Sequence, residues 1–180
     1  FHYFRDNLQK QLIALSLRDQ NPFGGKIDYD INGRLIGMWF KEGTNGYAGA
    51  VPFSHDYYRG HLAIAPHHLD SSFTVVSFGT FGSDTSGKQF GIGGIHMEPA
   101  AIGVHQKVKW ELVDFEYFVE GQRWNRNSLA KGISVKQGSN TFGTVLMELV
   151  EPGKLRLEIF VGVDADDVDE FSGNEETFVR

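Results

Sequence analysis

Cysteine is absent from the 180 residues, which excludes disulfide scaffolds, thiolate metal sites and cysteine nucleophiles. The compartment stays open, because a chain without thiols is stable in either redox environment. Long apolar runs are missing as well. The longest are strand-sized, so no segment reads as inserting into a membrane. Basic charge is in short supply: 17 Lys and Arg stand against 23 Asp and Glu, giving a net charge of −6 with no basic block. That balance argues against a nucleic-acid partner. No H-E-x-x-H zinc pattern and no G-x-S-x-G nucleophile elbow occurs. The glycine-rich "FGIGG", Phe90 to Gly94, leads toward Pro99 instead of opening a helix, so it does not read as a phosphate loop. An initiator methionine is also lacking, and Phe1 in its place suggests a processed protein, an excised domain or a trimmed chain.

What is present is a change of period. In the first twenty-five residues Phe4, Leu8, Leu12 and Leu15 recur at helical spacing, and Asn21-Pro22 and Gly24-Gly25 end the pattern. This predicts a helix within residues 1–20, its apolar face packed on a sheet with Leu8, Leu12 and Leu15 buried. After Lys26 the period falls to two. Strands are expected at Lys26–Ile31, Arg34–Lys41, Gly60–Pro66, Phe73–Phe78, Gln89–Gly93, Lys107–Phe118, Gly132–Lys136, Thr141–Val150, Lys154–Val161 and Glu176–Val179. Glu151-Pro152-Gly153-Lys154 reads as a hairpin turn. About ten short strands separated by turns, with twenty-two glycines for turns and bulges, predict an all-β, mainly antiparallel fold. The length fits one domain, residues 1–180, with the β-structure over 26–180 and roughly 70% of the unfolded surface buried.

The stretch "IDYDINGRLIGMW", Ile27 to Trp39, poses a choice between a metal loop and a turn. Asp28, Asp30, Asn32 and Gly33 match positions 1, 3, 5 and 6 of a calcium loop, but its position 12, which needs a bidentate Glu, is Trp39. An indole cannot close an oxygen cage. Ile27, Tyr29 and Ile31 alternate with Asp28 and Asp30, and Asn32-Gly33 tolerates positive φ, so a hairpin with solvent-facing carboxylates is expected. In "VKWELVDFEYF" and "KLRLEIFVG", apolar residues alternate with charged ones in the same way. Sheets with one wet face close into a barrel or stack as a curved sandwich, and closure removes exposed edges.

The Gly37-x-Trp39 sequence resembles the motif that opens the first barrel strand of lipocalins and related calycins. The resemblance implies a barrel whose base is plugged by Trp39, with an arginine from a late strand, Arg156 or Arg180, packed over it. The layout departs from that family: the helix comes before the barrel strands, and a strand is expected ahead of the motif. The runs "DYDINGRLIGMWFKEGT", "YYRGHLAIAPHHLD" and "KLRLEIFVG" are similar to an uncharacterised conserved segment of secreted bacterial proteins, some joined to lysostaphin-type metallopeptidase-like regions. That implies a bacterial, extracytoplasmic origin, periplasmic or secreted, and no activity.

Candidate site residues follow from chemistry. "SHDYYRGHLAIAPHHLD" holds His55, His61, His67, His68 and Asp70. A metal or acid–base site there needs His61 to meet His67, His68 or Asp70, although six residues of extended strand separate the two ends by roughly 20 Å. Polar histidines at a strand start and in a loop are the expectation. "DADDVDEF", Asp164 to Phe171, reads as a solvated turn capped by Asp164. Trp124, between Arg123 and Arg126, either stacks on a ligand or packs back on the barrel. Three functions are carried forward. The first is a module binding a small apolar or amphipathic ligand, drawing on Trp39, His61, Trp110, Trp124 and Arg156, with no cofactor. The second is an accessory or interaction domain with a filled interior, contacting another copy or a neighbouring domain. The third is an enzyme using His61, His67, His68 and Asp70, with or without a metal.

Overall fold

Alternating apolar residues build nine strands: β1 (Gly37–Lys41), β2 (His61–Pro66), β3 (Thr74–Phe78), β4 (Lys88–Ile92), β5 (Lys107–Val119), β6 (Gln122–Arg123), β7 (Ser134–Glu151), β8 (Lys154–Val161) and β9 (Glu176–Val179). They come from a computed structural model that describes residues 3–49 and 57–180; His55 lies outside the described residues. All pairings are antiparallel, and each long strand pairs with its neighbour in sequence. β1 joins β9 and β4 joins β5, which closes eight strands into an up-and-down barrel and leaves β6 outside it. The all-β barrel with one helix is therefore the fold. Closure satisfies the backbone groups that an open sheet would leave unpaired at its edges.

The interior is solid. Leu62 and Ile64 of β2, Val76 of β3, Leu112 of β5, Val145 and Met147 of β7 and Leu155 of β8 point inward and are wholly buried, in one cluster with Trp39, Trp110 and Phe178. At the base, Trp39 donates its indole N–H to the Leu35 carbonyl at 2.9 Å, and the Arg180 guanidinium lies 3.7 Å from its ring centre. Arg180 also faces Asp30 Oδ1 at 3.3 Å, and the same oxygen accepts the Met38 N–H at 2.7 Å. Gly37 makes this approach possible. It sits at φ 128°, and a Cβ there would lie 2.0 Å from Asp30 Oδ1.

Several expectations are corrected. Residues 26–31 form no strand, so Ile27 to Trp39 holds a turn without a hairpin: Arg34 N–H bonds to the Ile31 carbonyl at 3.0 Å, and of the Asn32-Gly33 pair Gly33 takes positive φ and Asn32 does not. Asp30, although exposed, turns its carboxylate to the Met38 N–H and the Arg180 guanidinium, which takes this segment out of a strand alternation. β1 is thus the first strand. The expected strands Gly132–Lys136 and Thr141–Val150 merge into β7, and β6 was not foreseen. The helix α1 (Asp6–Leu15) is shorter than residues 1–20 and buries none of its residues; Leu8 is 44% and Leu15 60% exposed. Its C-terminal carbonyls of Ile13 and Ser16 accept the Lys131 ammonium, which anchors one end while the apolar stripe stays in water. Asp164 precedes a 3-10 turn but makes no side-chain cap bond.

Two excursions clothe the barrel. The β8–β9 connection crosses the outside of β5, β7 and β8: Lys109 donates to the Ala165 and Val168 carbonyls, and Thr144 to the Val163 carbonyl. The other excursion is a ribbon. The β5–β7 ladder passes from Val113↔Thr141 to Phe115↔Gln137, four steps along β7 for two along β5, and bulges of this kind bend a pair sharply. Beyond the bend, Phe115–Val119, β6 and Ser134–Gln137 fold over the outer wall and make a second core of Leu69, Tyr117, Ile133 and Val135, with Phe73, Phe115 and Trp124 against it.

Candidate binding cleft

The ribbon is clasped to the barrel by the turn between β2 and β3. His67, 2% exposed, accepts the Leu69 N–H on Nδ1 at 3.1 Å, so its Nε2 carries the proton when the ring is neutral and lies 3.1 Å from the Tyr117 hydroxyl. Burial, with help from His68 and Arg126 and against the pull of Asp70, lowers the His67 pKa to about 4. Burial likewise pushes the Tyr117 hydroxyl up. Asp70 accepts the Val135 N–H at 2.8 Å on one oxygen and Ser72 N–H and Oγ–H on the other. Its burial favours the neutral acid, but these donors outweigh it and hold the carboxyl below its ordinary range. Arg18, itself 6% exposed, donates to the His68 carbonyl at 2.7 Å, and burial followed by the Arg18 and Arg126 charges lowers the His68 pKa. Both ring nitrogens of His67 are occupied by the clasp.

Bending the ribbon away from β4 opens a cleft. β4 pairs with β5 only at Gly91 and Ile92, so Lys88 and Gln89 stay exposed, while Phe90 packs into the barrel core and forms the floor of the cleft. The cleft holds about 590 Å³, within the range of small-molecule sites. One wall belongs to the barrel: Phe81 and Phe90 have ring centres 4.6 Å apart, and Phe142, 41% exposed, stands 5.2 Å from Phe90. The other wall belongs to the ribbon, where Phe115 and Tyr117 lie 5.9 Å apart and the Arg126 guanidinium stacks 4.0 Å from the Tyr117 ring centre. Asp84, Lys88 and Asp114 complete the rim. Asp84 and Lys88 pair at 2.9 Å, and Asp114 takes the Asn140 backbone and side-chain N–H groups at 3.1 and 2.5 Å. A second recess, about 560 Å³ at the barrel mouth, has Phe78, Leu157 and Phe178 beneath a polar rim in which Lys41 pairs with Glu176.

The five residues named from sequence as ligand contacts do not converge. Trp39 and Trp110 are buried in the packed interior. His61 points outward from the start of β2 into a ring cluster with Phe40, Tyr47 and Tyr57, its Nε2 3.2 Å from the Gly46 carbonyl. Trp124 packs beside Tyr117 with ring centres 6.2 Å apart, and Arg156 lies on the outer wall between Glu148, Glu175 and Phe171. His67, His68 and Asp70 come together in the clasp, while His61 occupies the other end of β2. Among the described residues, no group of three His, Asp or Glu side chains is arranged to hold a metal. The cleft's own residues, Phe81, Phe90, Phe115, Tyr117, Arg126 and Phe142, were not singled out from sequence as a site; Arg126 appeared only as a neighbour of Trp124. The four phenylalanines and Tyr117 read as strand or turn residues until the bend in β5 and β7 brings them face to face.

Comparisons with protein-family models, with curated proteins and with solved structures return no match, so the cleft rests on its own geometry.

Proposed function

We propose that this chain is a binding module that seats a small apolar or amphipathic ligand between the barrel and its ribbon. One observation carries the reading: an open cleft of about 590 Å³ has five aromatic rings on two facing walls, while the barrel interior is filled by side chains. Phe142 is exposed and Phe115 half-buried, and a ligand that covers them against the buried rings of Phe81, Phe90 and Tyr117 removes apolar surface from water on two walls at once. The Arg180–Trp39 contact and the position of Gly37-x-Trp39 on the first strand support a kinship with calycin barrels. In this reading the ligand lies beside the barrel mouth instead of inside the barrel.

The test is fluorescence titration with N-phenyl-1-naphthylamine, an uncharged two-ring probe. Saturable binding is expected, weakened about fivefold or more by Phe142→Ala with the far-UV circular dichroism unchanged. Absence of saturable binding overturns the proposal. A second reading, the interaction domain, draws on the exposed Phe4, Leu8 and Leu15 of the helix end. Sedimentation equilibrium checks it: a concentration-dependent dimer that Leu8→Glu abolishes supports it, and a monomer at all concentrations removes self-association as its basis.

A further inference from the structure

We infer that the cleft selects ligands carrying an acidic group, with Arg126 as the residue that reads the charge. The inference rests on the binding reading above and assigns the chemical class of its ligand. It begins with the charges around the cleft. Lys88 is neutralised by Asp84, and Asp84 is further held by the Ser86 N–H and Oγ–H. On the ribbon, Arg123 is paired with Glu116, and Lys136 lies over Phe118 on a different ring from those of the cleft. Arg126 has no carboxylate within ion-pair distance among the described residues. Among the described residues it stacks on the face of Tyr117.

That stacking prepares the guanidinium for an anion. A ring beneath the planar group shields one face from water and fixes its orientation, while the N–H donors remain in the plane and free to fork onto a carboxylate, sulfonate or phosphate. The ring is itself fixed, because the Tyr117 hydroxyl is bound to buried His67. The backbone agrees: Arg126 sits at φ 65°, and the Asn125 side chain accepts the Asn127 N–H at 2.9 Å, so the loop holds an arginine in a conformation that costs a non-glycine residue energy. The charge of Arg126 is felt at His67, His68 and Tyr117, which places it against the clasp as well as the cleft. Asp114, with both oxygens taken by Asn140, places a carboxylate on the opposite rim, which disfavours an anion on that side. The ligand is thereby oriented, its rings between Phe90, Phe142 and Phe115 and its acid at Arg126.

Two probes sharing one skeleton separate this inference from the reading beneath it. N-phenyl-1-naphthylamine is uncharged, and 1-anilinonaphthalene-8-sulfonate adds a sulfonate. The wild-type chain is expected to bind the sulfonate about tenfold more tightly at low salt, the preference shrinking as salt screens it. Arg126→Gln lowers the affinity for the sulfonate more than that for the uncharged probe, so that the preference is lost; Arg126→Lys keeps part of it, and Arg123→Gln keeps all of it. Equal affinity for the two probes in the wild type, or a preference that survives Arg126→Gln, overturns the inference while the binding reading stands. If neither probe binds, both fall.

Discussion

Arg180 lies with its guanidinium 3.7 Å from the ring centre of Trp39, donates Nη2–H to the Arg34 carbonyl at 2.6 Å and meets Asp30 at 3.3 Å. Arg180 thus locks β1 to the segment before it. Arg180→Ala is expected to lower stability by about 1–2 kcal/mol, from the lost stacking on Trp39 and the lost pairing with the exposed Asp30 carboxylate. Gly37→Ala, which collides with that carboxylate, should cost a similar amount. Urea denaturation checks both, and a loss below about 0.5 kcal/mol for Arg180→Ala would remove the Arg180–Trp39 contact as a stabilising element.

Leu62 and Leu12 separate barrel from helix. Leu62 is wholly buried, and Leu62→Ala should cost about 2–5 kcal/mol. α1 buries none of its residues, so Leu12→Ala should cost less than about 1 kcal/mol. Thermal melts of the two variants decide this. A large loss at Leu12 would mean that the helix packs on the barrel in solution.

His67 makes stability depend on pH. Its pKa is lowered from 6.5 to about 4 by burial first, then by His68 and Arg126, with Asp70 opposing. Between those values the unfolded chain binds the proton and the folded chain does not, so stability is complete above pH 6.5 and falls as the pH drops toward 4. His68, depressed by its own burial and by Arg18 and Arg126, acts in the same direction. The fall assigned to His67 should be on the order of 1–2 kcal/mol, less than the full shift because solvent and Asp70 moderate it. Denaturation midpoints from pH 7 to 4 should show a shallower slope in His67→Gln than in the wild type. Identical slopes would place the titration elsewhere.

Asp70 closes the clasp on the ribbon through the Val135 N–H. Asp70→Asn replaces a charged acceptor by a neutral one and should cost about 1–3 kcal/mol. Hydrogen exchange should speed up at Val135 and its ribbon neighbours and not in β8. Uniform acceleration through the barrel would show that ribbon and barrel open together.

Much of this architecture is determined by sequence alone, because alternation is a local signal. β8 and β9 begin and end at the residues their apolar period indicates, the Pro152-Gly153 turn joins β7 to β8 as its composition dictates, and one wet face per strand favours closure. Other features depend on partners far along the chain. Asp30 leaves the strand pattern because Arg180, 150 residues away, competes for its carboxylate. α1 has a helical stripe in sequence, yet amphipathicity states which face is apolar and not whether anything covers it. The cleft lies furthest from what sequence reveals. Phe81, Phe90 and Phe142 reach one wall and Phe115 and Tyr117 the other only because β5 and β7 bulge and bend, and a bulge is a mismatch between two strands that neither strand records by itself.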